Sequence, residues 1–123
     1  MDKNNIILII DDSSTTLLLL EWSLNEEGYN TQVAASVKEA QNLISKNKPA
    51  LILLDLSMPV VSGYDFLKMR SNLDLQEIPI IVVSAFDNKE SIKSAHDLGA
   101  AEFIAKPFTI PLIITTIKKH LKN

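Results

Sequence analysis

Apolar and polar positions fall in alternating blocks along this chain. Short unbroken apolar runs are followed by longer segments in which apolar residues recur every three or four positions. Ile6 to Ile10, Ala50 to Leu54 and Ile78 to Val83 are continuous apolar runs, the pattern of strands buried on both faces of a parallel sheet. Asn30 to Ala34 and Ala101 to Ala105 are shorter or more polar and predict edge strands. Helices are expected between them. Ser13 or Ser14 is placed to cap one that runs to about Glu27, with Gly28 just past its end. Ser36 and Glu39 have capping-box spacing ahead of Val37, Ala40, Leu43 and Ile44 at helical spacing. A third helix carries Tyr64, Phe66, Leu67 and Met69, and a fourth covers Asn88 to Leu98 and stops at Gly99. Thr109 caps a fifth, with Pro111 tolerated in its first turn. Lys118, Lys119, His120 and Lys122 lie at its C-terminal end, where the helix dipole favours positive charge.

Strand and helix therefore alternate five times, which predicts an α/β fold: a (βα)5 doubly wound parallel sheet forming one domain over residues 1–123. The first, third and fourth strands are uniformly apolar and belong in the middle; the second and fifth belong at the edges. With right-handed crossovers, the order 2-1-3-4-5 meets this requirement, and its topological switch lies between the first and third strands.

Ligands bind such sheets beyond the carboxyl ends of the strands, at the switch. The residues ending the strands there are Asp11 and Asp12, Asp55, Ser84 and Lys106. The first and third strands should lie about 5 Å apart, so three carboxylates would share a small volume. Like charges that close repel, and a cation is the remedy. An all-oxygen donor set suits a hard ion, Mg2+ first, with Mn2+ able to substitute. A carboxylate left over can attack phosphorus. A cation, the Lys106 ammonium and the Ser84 hydroxyl around a transferred phosphoryl group would stabilise the charge on its oxygens.

Composition removes other chemistries. The 123 residues suffice for one compact domain. Cysteine is absent, which excludes disulfides, thiolate metal sites and cysteine nucleophiles. A net charge of −3 gives no general pull toward nucleic acid or anionic membrane. The start of the chain lacks the pattern of a signal peptide, and no apolar stretch approaches the roughly 18 residues of a membrane span. The expectation is a cytoplasmic protein with no membrane association and no direct nucleic-acid contact.

The segments Ile9-Ile10-Asp11-Asp12, Leu53-Leu54-Asp55-Leu56-Ser57-Met58-Pro59 with Gly63, Val82-Val83-Ser84-Ala85 and Lys106-Pro107-Phe108 resemble the receiver domains of two-component response regulators. The match spans essentially the whole chain and five functional positions. The resemblance implies a flavodoxin-like fold and a phosphoacceptor that promotes its own phosphorylation and dephosphorylation rather than an enzyme. It implies that Asp55 is phosphorylated in a Mg2+-dependent reaction, with a phosphohistidine donor on a histidine kinase or histidine phosphotransfer protein. Asp12, Asp55 and the backbone carbonyl of Ser57 would contact Mg2+ directly, and Asp11 mainly through water. Lys106 would pair with the phosphoryl oxygens. Ser84 would hydrogen-bond the phosphoryl group and move toward it, and Phe103 would be the aromatic switch residue that turns inward with it. That would alter the face made by the fourth helix, fifth strand and fifth helix, where a homodimer is also allowed. The Lys106–Pro107 bond is expected to be cis, and Gly63 to permit a tight turn. Phe86 could shield an acyl phosphate while the small Ser57 could not, so a phosphoryl state of moderate lifetime is expected.

Leu17 to Leu20 span most of a helix circumference at about 100° per residue, so they cannot all face the sheet. With Leu19, Leu20 and Leu24 inward, Leu17, Leu18 and Trp22 would be at least partly outward and offer a docking surface to a helical partner, the helix used by the family's kinases and phosphotransfer proteins. His96 and His120 read as surface helix residues. An aspartyl-nucleophile phosphohydrolase is the alternative, but Ser57 stands where such enzymes place a second acid. A flavin carrier would need a different loop after the first strand than Asp11-Asp12.

Overall fold

The computed structural model describes residues 6–58, 62–85 and 88–121. Its elements follow in the order β1 (Ile6–Ile10), α1 (Ser14–Glu26), β2 (Asn30–Ala34), α2 (Val37–Lys46), β3 (Leu51–Leu54), α3 (Gly63–Lys68), β4 (Ile80–Ser84), α4 (Lys89–Asp97), β5 (Glu102–Ala105) and α5 (Ile110–His120). The strands form one parallel sheet in the order β2-β1-β3-β4-β5, as the apolar pattern predicts. Ile10 pairs with Ala34 on one side and Leu54 on the other, which sets the acidic residues following β1 and β3 at the same rim.

Alternation of side chains along each strand divides the core into two layers. Leu8, Ile10, Ile52, Leu54, Ile80 and Val82 face a layer that includes Val37, Ala40, Phe66 and Ala95 from α2, α3 and α4. Ile7, Ile9, Leu51, Leu53, Ile81 and Val83 face the opposite layer, with Leu17, Leu20, Leu24, Ile113 and Ile117 from α1 and α5. Each fully buried Leu or Ile stabilises the fold by about 1.5–3 kcal/mol, which makes the three central strands the most firmly held part of the molecule.

Several local expectations need adjustment. β4 starts at Ile80 because Pro79 has no N–H to give the ladder; its carbonyl still accepts from Ile52 N at 3.0 Å. Ser84 is the last residue of that strand rather than the first beyond it. Ser36 caps α2 by accepting from Glu39 N, but Glu39 Oε1 reaches past the cap to Ala35 N at 2.8 Å, so the box is not reciprocal. The reciprocal box is at α3, between Ser62 and Asp65.

The orientation of α1 is a larger correction. Leu17, Leu20 and Leu24 face the sheet, spaced at helical intervals, while Leu19 is 46% exposed. Leu17 and Leu19 have exchanged the roles expected of them, because a sheet-facing stripe centred on Leu20 and Leu24 takes in position 17 and leaves 19 about 100° off it. α1 and α4 both end in the hydrogen-bonded Schellman pattern, with Gly28 (φ +95°) and Gly99 (φ +105°) in the left-handed position. Among the described residues no helix is long and apolar enough to cross a membrane.

Candidate functional site

At the C-terminal rim, β1 and β3 deliver their acids to one point. Asp11, Asp12 and Asp55 each offer a carboxylate oxygen, and these oxygens lie within 4.8 Å of one another. Asp11 and Asp55 are buried and Asp12 is exposed, so the cluster has a solvent-facing side. Lys106, which follows β5, reaches across the rim: its Nζ is 2.7 Å from Asp11 Oδ2 and 3.6 Å from Asp55 Oδ2. Lys106 N donates to the carbonyl of Ser84 at 3.0 Å, which fixes the start of that loop against β4. The Lys106–Pro107 bond is cis, as the resemblance implies.

Both carboxylate oxygens of Asp11 have a partner within the protein. Its Oδ1 accepts from Ser13 N at 2.9 Å, at the entry to α1, and its Oδ2 accepts from Lys106. Asp55 is held less tightly, with Ser57 N donating to its Oδ1 at 3.2 Å. Burial pushes the Asp55 carboxyl above its usual range, and the neighbouring Asp11 adds to that. The Ser57 N–H, Lys106 and a hydrogen bond with Ser84 pull the other way without reversing it. A buried carboxylate beside like charge is relieved by a cation or by esterification of one oxygen. The donors are all oxygen, two of the acids come from the end of one strand and the third from its neighbour, and one acid faces solvent. That donor set fits Mg2+, which keeps several waters.

Gly63 is indispensable for a reason other than the one expected. It lies at the N-terminus of α3 without a positive φ. A Cβ there would collide with the backbone carbonyl of Asp55 and stand 2.7 Å from Leu56 Cα, so α3 can start this close to the acid loop only without a side chain. Gly63 N donates to Leu56 O at 3.1 Å. The motif in the sequence signalled a glycine here, but only the packing shows what it must avoid.

Ser84 is fully buried at the rim end of β4. Phe103 of β5, opposite Val82 in register, is half-buried and packs on the layer containing α4. Ser57 is exposed. Pro59 and Phe86, the residue expected to shield an acyl phosphate, lie outside the described residues. Of the three docking residues expected on α1, Leu18 (68% exposed) and Trp22 (64%) are outward, and Leu17 is core. Leu19 takes its place and lines a groove of about 480 Å3 with Thr16, Ala85, Lys106, Pro107 and Phe108, directly beside the acid cluster. His96 is exposed as expected. His120 is instead partnered, its Nε2 2.8 Å from Glu102 Oε2, and Lys119 Nζ bonds the same oxygen at 2.7 Å. A larger concavity of about 720 Å3, lined by residues including Lys48, Asp74 and Glu77, lies at the opposite ends of the strands and shares nothing with this chemistry.

Comparison with known proteins agrees with this arrangement. Residues 7–118 match the family model of the response regulator receiver domain. Sporulation initiation phosphotransferase F of Bacillus subtilis is 36% identical over 103 residues, covering 84% of this chain and 82% of that protein. The polar-differentiation response regulator DivK of Brucella ovis is 35% identical over 99 residues, covering 80% of each. Among solved structures, the chemotaxis protein CheY4 of Vibrio cholerae superposes with a TM-score of 0.89 at 26% identity, over 94% of this chain and 98% of that one. A CheY-like receiver domain protein of Methanospirillum hungatei gives 0.89 at 27% identity, over 95% and 93%.

Proposed function

The chain belongs to the response regulator receiver domain family of two-component systems, and on that premise we propose that Asp55 accepts a phosphoryl group from a phosphohistidine in a Mg2+-dependent reaction. The observation that carries the reading is the convergence of Asp11, Asp12 and Asp55 within 4.8 Å, with Lys106 reaching into the same cluster.

In this reading Asp12, Asp55 and the Ser57 carbonyl hold the cation, and Asp11 acts mainly through water and by gripping Lys106. Mg2+, when bound, offsets the acidic charge and draws charge from the phosphoryl oxygens. An Asp55 oxygen forms the new bond to phosphorus. The bond from phosphorus to the donor's imidazole nitrogen breaks, and its electron pair stays on that nitrogen. Lys106 pairs with the phosphoryl oxygens as their charge spreads, exchanging its contact with Asp11 in part for one with the phosphoryl group. The Ser84 hydroxyl hydrogen-bonds the phosphoryl group, and Phe103 turns inward behind it, changing the face of α4, β5 and α5. The same site promotes loss of the group to water.

The donor is a histidine kinase or histidine phosphotransfer protein that docks on the exposed Leu18, Leu19 and Trp22 beside the groove at Lys106. A homodimer through α4, β5 and α5 belongs to the same reading, as do a domain spanning residues 1–123 and a cytoplasmic setting. The test is an intact-mass measurement after incubation with acetyl phosphate, with and without Mg2+. Wild type should gain one phosphoryl group only with Mg2+, and Asp55→Asn should gain none. Equal gain in both proteins, or no gain in wild type, overturns the reading.

A further inference from the structure

α4 is the most lightly seated helix of the fold. It has nine residues, and Ala95 is the one side chain it buries. Lys89, Glu90, Ile92, Lys93, His96 and Asp97 are all exposed. Such a helix contributes little apolar burial to hold it on the sheet, and its ends must carry more of the work. The N-terminal end is closed by Asn88, whose side chain accepts from Ser91 N at 2.8 Å. The C-terminal end closes through the left-handed Gly99, with Gly99 N donating to His96 O at 2.9 Å and Ala100 N to Ala95 O at 3.0 Å.

A charged group that the phosphoryl chemistry does not use lies against that C-terminal end. Arg70 follows α3, and its guanidinium occupies the space a side chain at Gly99 would need: a Cβ there would collide with Nη1 and stand 2.9 Å from Cζ. Arg70 Nη2 donates to Gln76 O at 2.9 Å in the connection from α3 to β4. Its Nε is buried without a hydrogen-bond partner among the described residues. A buried N–H left unsatisfied is costly, and a guanidinium is kept there only if its other interactions outweigh that. The C-terminus of a helix is the negative end of its dipole, where a cation is favoured.

We propose that Arg70 is a positioning residue that seats α4, latching the turn between α4 and β5 onto the connection between α3 and β4. Gly99 is then required twice, once for its backbone conformation and once to leave room for the latch. Ser84 ends β4 and the chain then leads into α4, so the latch acts on the helix that follows the phosphoryl site. The latch is independent of phosphorylation and is tested without a phosphodonor.

The experiment is hydrogen–deuterium exchange read by mass spectrometry on the full chain in wild type, Arg70→Met and Arg70→Lys, each with its global stability measured by urea unfolding. Met keeps the packing and loses the charge and the bond to Gln76; Lys restores the charge alone. In Arg70→Met, exchange of α4 amides should accelerate about tenfold more than that of α1, α2 and α5, the size expected when a helix-end cation and one hydrogen bond are lost together. Arg70→Lys should recover at least part of the difference. If the α4 amides of Arg70→Met stay within about twofold of wild type, or if all helices accelerate alike in proportion to lost global stability, or if Lys recovers nothing, the latch is refuted. Should Arg70→Met not fold, the ratio in Arg70→Lys decides: α4 accelerated selectively, though less, supports the latch, and uniform exchange overturns it.

Discussion

Replacing Asp55 with Asn should stabilise the cation-free protein, although it abolishes the proposed chemistry. The structure sets the opposing contributions. With the carboxylate oxygens no more than 4.8 Å apart, Asp11 repels an ionised Asp55 by at least about 3.5 kcal/mol at an effective dielectric of 20. Exposed Asp12 adds less because water screens it. Lys106 at 3.6 Å returns about 4.6 kcal/mol by the same arithmetic, though it is closer to Asp11 and shared with it. The charges therefore nearly cancel, and the loss of hydration of a carboxylate that is only 5% exposed decides the sign. That agrees with burial as the leading cause of the raised Asp55 carboxyl. Asn keeps the shape and an acceptor for Ser57 N–H without the charge. A gain of about 2 kcal/mol is expected at pH 7, roughly 5–10 °C in Tm for a domain of this size. A carboxyl raised in the folded state penalises folding when ionised in both states. The advantage of Asn should therefore be full at neutral pH, shrink as pH falls through the raised folded value, and vanish below the ordinary value of 3.8. Thermal unfolding in chelator across pH, followed by Mg2+ titration, measures this. Wild type should gain about 2.7 kcal/mol when Mg2+ is at 100 times its Kd, and Asp55→Asn should gain less. An Asn variant less stable than wild type at pH 7 in chelator would refute the account of the site's electrostatics.

Gly63→Ala should cost about 1–3 kcal/mol in urea unfolding and slow phosphoryl uptake, since the new Cβ meets the Asp55 and Leu56 backbone, which has no room to yield. Leu17→Ala should cost about 2–4 kcal/mol, whereas Leu18→Glu should leave stability within about 0.5 kcal/mol of wild type and reduce transfer from a phosphohistidine donor; equal costs would contradict the helix orientation. Glu102 is held below its ordinary value of 4.5 by hydrogen bonds from Lys119 and His120, so its contribution is present above that value and lost as pH falls through the depressed folded one. Glu102→Gln should therefore lower stability by less than about 1 kcal/mol at pH 6 and by nothing near pH 2.

The sequence by itself determined the alternation of strands and helices, the sheet order and the identity of the rim residues. Continuous apolar runs and glycine stops are local signals, and the physics behind them acts within a few residues. It also placed Asp11, Asp12, Asp55, Ser84 and Lys106 at strand ends, because in a parallel sheet the end of a buried strand is where polar side chains first reach water. Tertiary structure decided what depends on distance between segments. The direction of α1, and with it the exchange of Leu17 for Leu19, follows from how the helix seats on β1 and β3, which four consecutive leucines cannot specify. The reason for Gly63 is the proximity of the Asp55 backbone. The partners of His120, the grip of Asp11 on Lys106 across 95 residues and the meeting of Arg70 with Gly99 all join positions far apart in the chain. Charge, hydrogen bonding and excluded volume act through space, and only the fold brings those positions within their reach.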